Sequence, residues 1–175
     1  MGMCQVILSD KTHGFLPYRR GVGAALFNNE GRVWLGRRIL RPGREVQNYW
    51  QLPQGGIDDG EDPAAAVIRE LYEETGTAKA EIIGEIDGWL SYDLPSNLLG
   101  KVWRGKYRGQ AQKWFALQFN GNDTDFNLKG HEKPEFDAWR WAELAVLPDL
   151  IVPFKQKIYK RVADEFSVFS SKLSS

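Results

Sequence analysis

The stretch Gly55-Gly56-Ile57-Asp58-Asp59-Gly60-Glu61, and after seven further residues Arg69-Glu70-Leu71-Tyr72-Glu73-Glu74-Thr75-Gly76, decides how this sequence reads. Its second half predicts a helix from about Pro63 to Thr75. Asp62 is a good N-cap, Pro63 suits the first helical position, and Gly76 suits the residue after the last turn. At ~100° per residue, Glu70, Glu73 and Glu74 fall within one arc of roughly 100°. Ala64, Val67, Ile68 and Leu71 fall on the adjoining arc and can anchor the helix to a sheet. Three carboxylates thus project together from a rigid platform. Clustered anions raise one another's pKa unless a cation neutralises them. Hard oxygen ligands that keep some water suit Mg²⁺ or Mn²⁺ rather than zinc. Glu73 and Glu74 also sit at the helix end whose dipole disfavours acids, so they serve something other than helix stability. An isolated Glu-x-x-Glu-Glu is usually a solvated face; here the Gly-rich loop, Glu61 and Arg69 at fixed offsets change the balance.

Working outward, Gly21–Phe27 and Arg32–Leu35 are small-and-apolar runs. The turn-forming Asn28-Asn29-Glu30-Gly31 separates them, which predicts a β-hairpin. Arg41–Asn48, with Pro42 and Gly43, reads as a loop. Glu81–Ile86, Ala111–Phe119 and Trp139–Trp141 read as strands. Pro, Gly and basic residues between Tyr92 and Gln110 predict a long loop. A second helix spans about Pro153 to Phe169, with Phe154, Ile158, Val162 and Phe166 as its buried stripe. The sum is an α+β fold with helices packed on a mixed sheet. Residues 1–17 read as an N-terminal arm, 18–170 as a single domain and 171–175 as a frayed tail.

The 175 residues are enough for one domain with its own core. Hydrophobic residues at 42% and charged residues at 26% exclude wholesale disorder. Cys4 is the only cysteine, which excludes an intrachain disulfide and a cysteine-built zinc site. No run of ~20 apolar residues could span a membrane, so the expected setting is reducing and cytoplasmic, without a membrane partner. Charge totals cancel, with 23 basic and 23 acidic residues, yet the charges are segregated. Residues 58–87 hold ten acids against Arg69 and Lys79, while residues 19–44 hold seven Arg against Glu30 alone. Lys101, Arg104, Lys106, Arg108 and Lys113 follow without an acid among them, as do Lys155, Lys157, Lys160 and Arg161. Solvated faces are one reading. The other is an acidic cluster that holds cations, ringed by basic groups that hold a polyanion. Zero net charge argues against an RNA-binding scaffold, and no DNA partner is expected.

The full spacing is Gly-x5-Glu-x7-Arg-Glu-apolar-x-Glu-Glu-x-Gly, running from Gly55 to Gly76. Seven fixed identities arise by chance on the order of 10⁻⁸ per start position. This spacing resembles the motif of the Nudix hydrolases. Tyr18-Arg19-Arg20, Tyr49–Gln54, Gly109–Phe115, Pro134–Trp141 and Val152–Lys155 resemble one branch of that family. That branch contains the RNA 5′-pyrophosphohydrolases and the asymmetric dinucleoside tetraphosphate hydrolases. The likeness covers about Tyr18 to Phe166. The sequence departs at Thr77, where an aliphatic residue is usual. It also departs in the N-terminal arm and in longer Ile39–Tyr49 and Leu98–Arg108 loops, which bear on substrate preference.

The resemblance implies a mixed β-sheet sandwiched between α-helices. It implies that Glu70, Glu73 and Glu74 hold more than one divalent ion, with Glu70 the preferred general base. Glu135 matches a further carboxylate reaching the metals from a loop, and the Gly55 carbonyl is a candidate ligand because glycine lets backbone approach an ion. Arg69 and Glu61 orient the helix, with Gly56 and Gly76 structural. Arg19, Arg37, Lys113 and Lys155 are candidate phosphate ligands. Tyr92 and Phe154 could stack a base, although Phe154 equally fits the helix stripe. The implied activity is metal-dependent hydrolysis of phosphoanhydrides. The substrate is a dinucleoside tetraphosphate cut asymmetrically, or the 5′-triphosphate of RNA cut to a monophosphate. A non-catalytic nucleotide-sensing module on the same fold is the rival, and it would be expected to lose a catalytic carboxylate.

Overall fold

The apolar run Gly21–Phe27 lies in the central strand of an eight-stranded mixed sheet. The computed structural model describes residues 15–39 and 49–175. Most of the N-terminal arm, with Cys4 and His13, and the Arg41–Asn48 loop lie outside the described residues. Strand β1 (Tyr18–Phe27) pairs in parallel with β7 (Gly109–Phe119) along its whole length, from Tyr18 opposite Gly109 to Phe27 opposite Gln118. Its other edge is shared. Gly21–Gly23 pair with β4 (Gln54–Gly56), and Phe27 pairs with Val33 at the start of β2 (Val33–Arg38). The expected hairpin forms, but β1 and β2 part after that one register pair. The chain crosses from β2 to β1 through β3 (Trp50–Gln51) and β4. The outer edge of β7 is split likewise, between β5 (Ala80–Glu85) at one end and β6 (Leu90–Asp93) at the other. Strand β8 (Phe136–Ala142) completes the sheet beside β2.

Both faces of the sheet are covered, which is why β1 reads as a continuous apolar run rather than an alternating one. On one face Ala66, Val67 and Leu71 of α1 (Pro63–Thr75) pack with Val22, Ala24, Leu26, Phe115 and Leu117. On the other, Ile158, Tyr159, Val162 and Phe166 of α3 (Gln156–Leu173) pack with Ala25, Phe27, Trp114 and Ala116. The short α2 (Leu147–Leu150) adds Leu147 to this second core. Helices therefore sandwich a mixed sheet, as the sequence implied.

Three expectations change in detail. Pro153–Lys155 form a 3₁₀ turn, and the α-helix proper starts at Gln156. Residues 171–173 are not frayed, because α3 continues to Leu173 and its end is tied to the hairpin turn. Ser170 Oγ donates to Gly31 O (2.7 Å) and Ser174 Oγ to Glu30 O (2.8 Å). The long loop is shorter by one residue at each end, since β6 runs to Asp93 and Gly109 opens β7.

Candidate active site

Helix α1 is built as its sequence dictates. Asp62 accepts from the amides of Ala64 (3.0 Å) and Ala65 (3.2 Å). Gly76, at φ 83°, ends the helix in the left-handed conformation and donates to Tyr72 O (2.8 Å). Arg69 then locks this helix to the Gly-rich loop. Its guanidinium donates to both oxygens of Glu61 (2.8 and 2.7 Å), to Gly56 O (2.9 Å), to Glu70 (2.9 Å) and to Glu73 (3.3 Å). Glu61 also accepts from the Asp58 amide (2.9 Å). The Arg69 hydrogen bonds and this amide hold the Glu61 carboxyl at about 2, so it is an anion at neutral pH.

The three carboxylates differ in setting. Glu74 is buried, and its Oε2 accepts from the Gln54 amide (2.9 Å). Burial pushes its carboxyl up to about 8 in the absence of a cation. The Gln54 N–H opposes that shift, Glu70 adds to it, and the charges of Arg38 and Lys155 oppose it. Burial likewise raises Glu70, against the pull of Arg69 and Arg19. Glu73 is half-exposed at the mouth. Gly55 lies against the Glu70 carboxylate, in the space a Cβ would fill. Among the described residues no three His, Cys, Asp or Glu side chains stand pre-gathered around one point. The donor set nonetheless fits a hard divalent cation. It is all oxygen, part of it is desolvated and short of positive charge, and a side-chain-free backbone lies beside it.

Basic and aromatic groups surround the carboxylates. The Arg19 guanidinium lies against Gly56, where a Cβ would collide with it, and 5.6 Å from the centre of the Trp103 ring. Lys155 Nζ is 5.3 Å from the centre of the Tyr92 ring, and Phe154 packs on Tyr92 at 5.6 Å. Arg38 pairs with Glu135 and acts electrostatically on Glu74, so Glu135 reaches the site through an arginine. Tyr159 joins the layers. Its hydroxyl accepts from the Leu52 amide (3.1 Å) and donates to Gln54 Oε1 (3.2 Å).

Arg38, Gln54, Tyr159 and Trp103 were not singled out from sequence. A register shift between Arg37 and Arg38 separates that pair, and position in the sequence could not say which arginine turns to the carboxylates. The structure gathers Arg19 and Lys155 with Glu70 and Glu74 but not every candidate. Lys113 shares the α1 face of the sheet with Val22 and is tied to Ile86 O (2.9 Å) and Glu85 (3.0 Å), away from Arg19. Arg37 is paired with Asp137 (2.7 Å). Tyr92 is 7% exposed, with its hydroxyl donating to Gln110 (2.9 Å), so it is a wall under Phe154 and Lys155 rather than an open stacking ring. Phe154 is partly buried against the α3 core.

The fold and this constellation agree with a family match: residues 17–162 fit the NUDIX domain. The chain belongs to the Nudix family and is a pyrophosphohydrolase. It is 52% identical over 158 residues to an RNA pyrophosphohydrolase of Gluconacetobacter diazotrophicus, covering 89% of this chain and 95% of the relative. It is 51% identical over 160 residues to one from a Bradyrhizobium species, with the same two coverages. Solved structures share the fold. A dihydroneopterin triphosphate pyrophosphohydrolase of E. coli matches with TM-score 0.63 at 16% identity, over 85% of this chain and 99% of that one. An Ap4A hydrolase of C. elegans matches with TM-score 0.59 at 20% identity, over 87% and 98%. Members of the family generally need divalent metal ions. No helix of the described residues is long and apolar enough to cross a membrane.

Proposed function

We propose that this enzyme removes pyrophosphate from the 5′-triphosphate end of RNA, with dinucleoside tetraphosphates as a second substrate class. The observation that carries the RNA reading is the identity of 50% or more, over most of both chains, to relatives named RNA pyrophosphohydrolase. The intact carboxylate set disfavours a sensing module without turnover.

The geometry supports these roles. Glu70, Glu73, Glu74 and the Gly55 carbonyl would hold Mg²⁺ or Mn²⁺, with Glu135 as a further carboxylate beside Arg38. A divalent ion held there would supply positive charge against the phosphate chain and lower the pKa of water. Glu70 takes the proton from the attacking water. The water oxygen bonds to phosphorus as the bridging P–O bond breaks and the leaving phosphate departs on the opposite side. Arg19 and Lys155 hold the remaining phosphates. Arg69 fixes the angle of α1 through Glu61 and Gly56 O, and touches no substrate.

The test is product analysis on 5′-triphosphorylated RNA, diadenosine tetraphosphate, nucleoside diphosphate sugars and free triphosphates. Monophosphate-ended RNA, and AMP plus ATP from the dinucleotide, are expected. Chelation by EDTA should stop both reactions, and Mg²⁺ or Mn²⁺ should restore them. Turnover confined to nucleoside diphosphate sugars would remove the substrate reading, and full turnover in chelator would remove the metal roles.

A further inference from the structure

Among the described residues only two non-glycine positions have positive φ, and they are adjacent: Trp103 (φ 49°, ψ 32°) and Arg104 (φ 57°, ψ 27°). A tryptophan is a costly choice in the left-handed region, because its Cβ crowds the backbone. Such strain persists only where the surroundings over-determine it, and it concentrates where it serves a site. Glycine was available to this turn, since Gly100 and Gly105 bracket the pair and are themselves left-handed. The turn is held down by Leu98, Leu99, Val102 and Trp103, which pack against the α3-side core. Its backbone closes with the Lys106 amide donating to Trp103 O (3.2 Å).

The strained conformation places the Trp103 ring beside Arg19, 5.6 Å from the guanidinium carbon. Arg19 is unusual among the arginines near the carboxylates. Arg69 and Arg38 are each paired with an acid. The Arg19 side chain has no hydrogen bond or ion pair among the described residues. Its head is held between the Gly56 backbone and the Trp103 ring. An indole face orients a guanidinium in its plane without consuming any of its five N–H donors. An acid in the same place would cancel the charge and occupy the fork.

We infer that Trp103 is a positioning residue that holds the Arg19 guanidinium in place, with its N–H donors left available, for the phosphate chain. The inference deepens the proposed function and rests on Arg19 being a phosphate ligand. It also gives the Leu98–Arg108 segment a role in the site, since the turn carries the ring, whatever its exposed charges do.

The test is a double-mutant cycle on KM and kcat, with diadenosine tetraphosphate and a 5′-triphosphorylated oligoribonucleotide as substrates. Trp103→Leu keeps the apolar docking and removes the π face; Trp103→Phe keeps both. Trp103→Leu should raise KM roughly 3–10-fold, the range of a cation–π contact, with kcat nearly unchanged. Trp103→Phe should stay within ~2-fold of wild type on the same scale. In an Arg19→Ala background both substitutions should change KM by less than ~2-fold, because the coupled partner is gone. Equal losses from Leu and Phe, additive losses in the two backgrounds, or a fall in kcat tracking a fall in melting temperature would each overturn the inference. If the wild type turns over neither substrate, the substrate reading has failed instead. The same cycle read through binding of inorganic tripolyphosphate then decides the coupling by itself.

Discussion

Gly55→Ala should separate catalysis from stability. A Cβ at Gly55 meets the carboxylate of Glu70, and ordinary contact begins only at 3.4 Å, so the carboxylate must retreat by more than an ångström. The group in the way is the far end of a flexible side chain, so the backbone need not move. Residue 55 has no positive φ, and its pairing opposite Val22 leaves an L side chain permitted. Alanine there gains ~0.4–1 kcal/mol by restricting the unfolded chain. A displaced Glu70 rotamer costs ~0.5–1.5 kcal/mol. The two nearly cancel, and the melting temperature should move by no more than about 4 °C. Catalysis has no such compensation. A misplacement of about 1 Å at a reacting group costs on the order of 10²-fold, equal to ~2.7 kcal/mol of barrier. The assay is steady-state hydrolysis of diadenosine tetraphosphate beside a thermal melt. Gly56→Ala is the internal control, because its Cβ meets the Arg19 guanidinium instead and should raise KM rather than lower kcat. A Gly55→Ala enzyme with wild-type kcat would refute the reasoning, and so would one whose activity loss is matched by a collapse of the melting temperature.

Two further outcomes are expected. Glu74 titrates near 8 in the cation-free folded protein, above its ordinary value of 4.5, so the folded state binds the extra proton between those values. Stability should therefore fall as pH rises from about 5 to 8 in EDTA; Glu74→Gln, which keeps the acceptor for the Gln54 amide, should flatten that slope in melts and lower kcat by several orders of magnitude. Neutralising Lys101, Arg104 and Lys106 together should weaken RNA more than the dinucleotide, lowering the salt slope of RNA binding by ~0.7 for each phosphate no longer neutralised. Arg108 is already committed to Asp93 (2.7 Å); an equal effect on both substrates would deny the turn any RNA-specific charge.

What the sequence made legible is what local chemistry determines. The bounds of α1, its caps and the arc of its carboxylates depend on residues within a few positions of one another. The hairpin turn and the α3 stripe are equally local. The short strands β3 and β4 are set by what β1 and β2 leave open between them, and no periodicity fits into two or three residues. The last turn of α3 looked like a polar tail because its serines bond to carbonyls 139 and 144 positions away. The same distance effect governs the basic candidates. Arg37 is committed to Asp137, 100 residues on. Lys113 is committed to Glu85 and Ile86 O on the other face. The motif context singles out Arg19, but its aromatic neighbour Trp103, over 80 residues on, is visible only in the fold.

The two faces of the site are brought into register through Gln54. Its amide donates to Glu74 on α1, and its side-chain oxygen accepts from Tyr159 on α3. One residue of a three-residue strand is thus gripped from both sides of the sheet, directly before Gly55. This explains how so short a strand can carry a precise backbone. It also means that α1, which bears the carboxylates, and α3, which follows directly on Lys155, are linked through a single residue, by its backbone amide on one side and its side chain on the other. Under the proposed function, phosphates on Lys155 and the attacking water beside α1 would have to meet at a fixed separation for in-line attack. Tyr159 is fully buried, and its hydroxyl ties α3 to Leu52 and Gln54. Its place one residue after Ile158 in the buried stripe conceals the role, since an aromatic there reads as core. Both readings are correct: the ring packs edge-on against Trp114 at 5.7 Å, and the hydroxyl holds the strand.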